Sequence, residues 1–98
     1  MQVGTYELTE EWTDLATLTK ATISAGDEYH IQNRGSASGV LGVLIVCEGD
    51  TEPTDNEGEI VMPSKKYEFT KGTQEKLYLR SESGTIKINV TQPNAASE

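Results

Sequence analysis

The sequence predicts a small all-β domain, an antiparallel β-sandwich or jelly-roll-like barrel, and three observations lead there. Apolar residues recur at every second position in one short segment after another. Clusters of Gly, Pro, Asn, Asp and Ser separate these segments at the spacing of about 8–12 residues typical of sandwiches. The chain has 98 residues, of which 35% are hydrophobic, enough for one thin core and not for two. The expected organisation is a single domain spanning 1–98, with 1–11 as a candidate extended N-terminal arm and 92–98 as a polar, flexible tail.

Taken in order, Tyr6 and Leu8 alternate with Thr5 and Glu7 and predict a first strand. The stretch 9–18 is the one helical candidate, because Trp12, Leu15 and Leu18 have near-helical spacing. It is short and rich in threonine, which weakens that expectation. In ATIS, Ala21 and Ile23 alternate with Thr22 and Ser24, and a turn at Ala25-Gly26-Asp27 follows. In EYHIQNR, Tyr29 and Ile31 share one face while Glu28, His30, Gln32 and Arg34 share the other. Gly35-Ser36-Ala37-Ser38-Gly39 reads as a loop.

Segment 40–47, VLGVLIVC, departs from the rule. Val40, Leu44 and Val46 make one apolar face, and Leu41, Val43, Ile45 and Cys47 make another. A strand apolar on both sides must be covered on both sides, either by the N-terminal segment or by a second subunit. The later strands alternate again. Segment 59–62 ends at Pro63, Tyr67 and Phe69 point one way, and Leu77 and Leu79 point inward with Lys76, Tyr78 and Arg80 outward. Ile86, Ile88 and Val90 complete the inner set.

Charge narrows the function. Eight basic residues against sixteen acidic ones give a net charge of −8, which argues against nucleic-acid binding. Six acids and no base lie in 48–59, whereas 65–87 holds six bases against three acids. Such a bipolar chain can dock against copies of itself or a mixed-charge lattice, although an ordinary solvated surface is the simpler reading. The longest apolar run is eight residues and includes Gly42, well short of the about 20 that a membrane helix needs. The opening MQVGTYELTEEWTDL does not have the pattern of a secretory signal, so the expectation is a soluble protein made in a cytoplasm, with no membrane partner.

Catalysis is not expected. His30, the only histidine, falls on the polar face with Glu28, Gln32 and Arg34 and reads as a solvent-facing strand residue, and Cys47, the only cysteine, ends an apolar strand and reads as a small core residue. One His and one Cys do not make a zinc site, so no metal and no cofactor are expected. The stretch 48–59 lacks the glycine of a helix-flanked calcium loop and reads as a solvated turn, with Asp55-Asn56-Glu57 as the only irregular cation candidate. The candidate interface residues are Tyr6, Trp12, Val43, Ile45, Lys76, Tyr78 and Arg80. The apolar ones follow from the two-faced strand and the aromatic start, the others from the cation–tyrosine mixture of KLYLR.

The succession of WTDL, AGDEYHIQNRG, an acidic EPTDNEG loop and EKLYLRSESGTIKINV, across residues 12–90, resembles small virion proteins of tailed bacteriophages. The resemblance implies a head decoration (cement), head-fibre or tail-associated role at the virion surface. It also implies a homo-oligomer, dimer or trimer, with the major capsid protein as partner. A decoration protein that stabilises the assembled head is the leading expectation, and a tail- or fibre-associated receptor- or carbohydrate-binding module is the alternative.

Overall fold

The structure is a computed structural model that describes residues 2–20, 22–36, 42–54, 58–72 and 76–92. It is a two-sheet antiparallel sandwich. Eight strands, β1 (Gln2–Leu8), β2 (Thr13–Asp14), β3 (Glu28–Ser36), β4 (Leu44–Gly49), β5 (Glu59–Val61), β6 (Lys66–Thr70), β7 (Lys76–Ser81) and β8 (Ile86–Thr91), are joined by one short helix, α1 (Leu15–Thr19). The first sheet runs β1-β8-β3-β6 and the second β2-β7-β4-β5. Strands 1 and 8, 2 and 7, 3 and 6, and 4 and 5 are all hydrogen-bonded antiparallel pairs. That is a long antiparallel ribbon folded at β4–β5 and rolled over two sheets, the jelly-roll topology.

Alternation explains the core. Ile86, Ile88 and Val90 from β8 are completely buried, as is Ile31 from β3, with Tyr29 and Phe69 beside them. Leu44, Val46, Leu77 and Leu79 face them from the second sheet, and Leu15 of α1 joins the same cluster. Burying each of these side chains stabilises the fold by about 1.5–3 kcal/mol before conformational entropy is subtracted. Tyr6 packs against this cluster from β1, where it lies opposite Ile88.

Asn33 is the polar member of that interior. Its amide nitrogen donates to the carbonyls of Gly42 at 2.9 Å and Val61 at 2.8 Å, and its amide oxygen accepts from the Gly35 backbone at 2.7 Å. One side chain therefore ties β3 of the first sheet to β5 and the approach to β4 in the second. A register shift between Asn33 and Gly35, whose φ is +84°, makes the bulge that lets the Gly35 N–H reach back. Gly42 lies so close to this bulge that a Cβ there would come within 2.6 Å of the Ser36 backbone nitrogen.

Several expectations are corrected. The ATIS segment is not a strand: 22–24 is irregular, because Asp27 draws the Ser24 N–H to its carboxylate at 2.8 Å and closes the turn there. Within the stretch 1–11, expected as an arm, Gln2–Leu8 forms β1 and pairs with β8, continuously from Gly4 to Leu8. The helix is only five residues long, because Asp14 caps it by accepting from the Thr17 N–H at 2.7 Å, which leaves Trp12 outside. The loop residues 37–39, the start of the VLGVLIVC run at 40–41, the acidic triplet 55–57 and the tail 93–98 lie outside the described residues.

Candidate functional site

The outer face of the second sheet is where the candidate residues gather. Side chains at alternate positions of β4 and β7 point away from the core, and register puts Ile45 opposite Arg80 and Cys47 opposite Tyr78. In β2, Thr13 lies opposite Leu79 and Asp14 opposite Tyr78, which brings Trp12 alongside Arg80. The segment before β2 continues down the same edge, where the Ser81 N–H donates to the Thr9 carbonyl at 2.8 Å.

Arg80 holds this segment over the sheet. Its Nε donates to the Glu10 carbonyl at 2.7 Å, and its guanidinium lies 5.8 Å from the centre of the Trp12 ring. Glu10 then accepts from the Gly84 N–H at 2.7 Å through its carboxylate, anchoring the strap to the β7–β8 turn. On the β5 side, Gly58 passes so close over β4 that a Cβ there would meet Ile45 Cγ2 at 2.8 Å.

The consequence corrects the placement of four candidates. Tyr78 and Arg80 do point outward from the sheet, but neither is a free surface residue: Arg80 is 8% exposed and Tyr78 is equally buried. Val43 and Ile45, at 7% and 4%, are likewise buried within one protomer. Of the two covers that the apolar strand required, one chain supplies enough by itself. Lys76 stays exposed at the far end of β7, and Tyr6 belongs to the other sheet, so the structure does not bring either to Trp12.

What remains open is a groove of about 650 Å³ between the strap and the loop after β4. Glu10, Glu11, Trp12, Glu52, Pro53 and Arg80 line it. Trp12 is half-buried, while Glu11 and Glu52 are exposed at the rim. Three carboxylates against one guanidinium make the mouth acidic, and a rigid aromatic beside it offers a firm contact. A smaller cavity of about 290 Å³ lies beside α1, with Leu15, Ile23, Phe69 and Leu77 as its apolar wall and Lys71 and Lys76 at its edge.

Two tyrosines have perturbed phenols. Burial raises the Tyr67 pKa well above its ordinary value, and its hydrogen bond to Glu48 and that carboxylate's charge add to the effect. Tyr29 is raised by burial and, to a lesser degree, by Asp27. Both are packed against the core and serve structure.

For cations, the described residues bring Glu28, His30 and Glu68 together on the outer face of the first sheet. Only two of these share a sequence segment. Glu68 reaches His30 through the β3–β6 register, a long-range pairing that one sequence does not reveal. Cys47 is a free, half-buried thiol at the end of the apolar strand. The chain matches no family model, no curated protein and no solved structure, so the functional reading stands on the fold, the groove and the pattern of the sequence.

Proposed function

We propose that this protein is a binding module of a tailed-bacteriophage virion, a decoration (cement) protein that docks on the assembled head and stabilises it. The observation that carries the binding role is the acidic groove built on Trp12 and Arg80. Trp12 is half-buried and the segment carrying it is held by the Arg80–Glu10 and Glu10–Gly84 hydrogen bonds, so little ordering is left to oppose association. The virion assignment rests on the resemblance of residues 12–90, and a jelly roll is an architecture that viral capsid domains use.

The mechanism is stabilisation by mass action. A protein that binds only the expanded shell lowers the free energy of that state, and repeated copies add many small contributions. The groove's charge suits a basic segment of the major capsid protein. Self-association belongs to the same proposal. With Val43 and Ile45 buried in the protomer, Ile60 on strand β5 and Met62 just after it are the large apolar side chains exposed among the described residues, and they offer a surface to a second copy.

The alternative is a receptor- or carbohydrate-binding module. Stacking on a sugar needs an open aromatic face, and Arg80 already lies over one face of Trp12. Co-sedimentation separates the two. The purified protein should pellet with expanded heads, bind unexpanded procapsids far less, and delay DNA release on heating. Binding to tails or host cells with none to heads would replace the decoration reading with the receptor one.

A further inference from the structure

The geometry points to a second site, independent of the groove and of the virion reading: a transition-metal site of the zinc type formed by Glu28, His30 and Glu68 on the outer face of the first sheet. Glu28 and His30 are two apart on β3 and project from the same face, and Glu68 on β6 is the direct cross-strand partner of His30. His30 Nε2 lies 3.1 Å from Glu28 Oε2 and 3.9 Å from Glu68 Oε2, and all three ligand atoms fall within 4.8 Å of one another.

Those spacings can be compared with what an ion requires. Nitrogen and oxygen ligands about 2.0–2.1 Å from a tetrahedral zinc ion stand about 3.3–3.4 Å apart. The His30–Glu28 pair is already within a few tenths of an ångström of that separation. Glu68 must close the remaining gap, and its side chain, 67% exposed, is free to rotate. His30 is 17% exposed and held on a paired strand, so the nitrogen that organises the site is the least mobile of the three ligands.

Charge and ligand chemistry agree on the ion. Two carboxylates and a neutral imidazole carry a formal charge of −2, which a divalent cation neutralises. An imidazole nitrogen favours Zn²⁺, Cu²⁺ or Ni²⁺ over calcium and magnesium, which require more oxygen ligands than three residues offer. The nearest cross-strand pairs are Gln32 with Lys66 and Glu28 with Thr70, and on the other side Thr91 lies opposite His30. Lys66 is therefore one pair removed from the site. Three protein ligands leave one position for water.

The test is calorimetric titration of ZnCl₂ into the full chain, with any affinity tag removed and the protein first treated with chelator. One equivalent should bind, and Co²⁺ in its place should give the visible absorption of a low-coordinate site. His30→Gln should weaken binding by roughly tenfold or more and abolish the cobalt bands. Glu68→Gln, an exposed substitution that leaves the fold untouched, should also weaken it. Absence of stoichiometric binding at submillimolar zinc would overturn the site. Wild-type affinity in a folded His30→Gln or in Glu68→Gln would overturn it too, since the zinc would then sit on other carboxylates.

Discussion

The two outer faces of this sandwich each belong to a four-stranded antiparallel sheet, yet they have opposite fates. On the first sheet, Glu28, His30 and Gln32 face outward beside Lys66, Glu68 and Thr70, and that face meets water directly. On the second, Val43, Ile45, Tyr78 and Arg80 face outward and are buried. Two segments make the difference: residues 9–12 run along the β7 edge and meet Arg80 through the Arg80–Glu10 hydrogen bond and the Arg80–Trp12 contact, while Gly58 closes on Ile45 from the β5 side. An apolar outer face therefore signals a cover, and here the cover brings a groove with it. The polar face carries only the chemistry of its own side chains.

The sharpest way to break this comparison is to place the same charge on both faces. Ile45→Asp puts an unpaired carboxylate at a position only 4% exposed and should cost about 4 kcal/mol or more, enough to unfold most of the population. Gln32→Asp on the wet face should cost less than about 0.5 kcal/mol. Urea unfolding followed by circular dichroism measures both, and equal costs would mean that the second face is not covered. Asn33→Ala comes next. It leaves the Gly42 and Val61 carbonyls and the Gly35 N–H without their partner, and should cost about 3 kcal/mol.

Arg80→Met keeps the apolar stem and removes the guanidinium, so its cost should be about 1–2 kcal/mol, with most of the change local. Trp12 is the only tryptophan, so a red-shifted and more quenchable emission in the folded variant would report the strap lifting. An unchanged spectrum would show that Arg80 does not hold it.

The pH response is smaller and has a defined sign. The Tyr67 phenol titrates higher in the folded state than in the unfolded chain, so the fold holds its proton longer. The stability this gives is fully present below the unfolded phenol pKa of about 10 and is lost as pH rises beyond it. Tyr67→Phe should flatten the alkaline part of the stability profile, leaving the smaller share of Tyr29. The smallest expected effect is that of calcium. Millimolar calcium should leave the thermal unfolding temperature unchanged if 48–59 is a solvated turn, and an increase of several degrees would contradict this.

The inner face was legible residue by residue. Tyr29, Ile31, Phe69, Leu77, Leu79, Ile86, Ile88 and Val90 all lie where period-2 alternation puts them. Asn33 carried a signal that was easy to pass over, since it occupies the third inward position after Tyr29 and Ile31 and an amide there must find partners inside. Thr22 and Ser24 alternated without being a strand, because the Asp27 carboxylate captured the Ser24 N–H locally. For Tyr78 and Arg80 the facing was readable and the burial was not. Facing is a local property of a strand, whereas burial depends on distant chain, for Arg80 the segment that holds Glu10, 70 residues away in sequence. The convergence of Glu68 on His30 was hidden for the same reason.

The functional claim centres on the groove, and one measurement addresses it most directly: equilibrium binding of the purified protein to expanded heads, wild type against a Glu11→Lys/Glu52→Lys double variant. Both glutamates are exposed at the groove's rim, so the variant should unfold as the wild type does. Reversing two rim charges should weaken head binding by roughly tenfold or more and slow association, while Lys76→Glu at the far end of β7 should change it little. Undiminished binding by the double variant, or loss of binding by Lys76→Glu alone, would contradict the account and place the head-binding surface elsewhere on the sandwich.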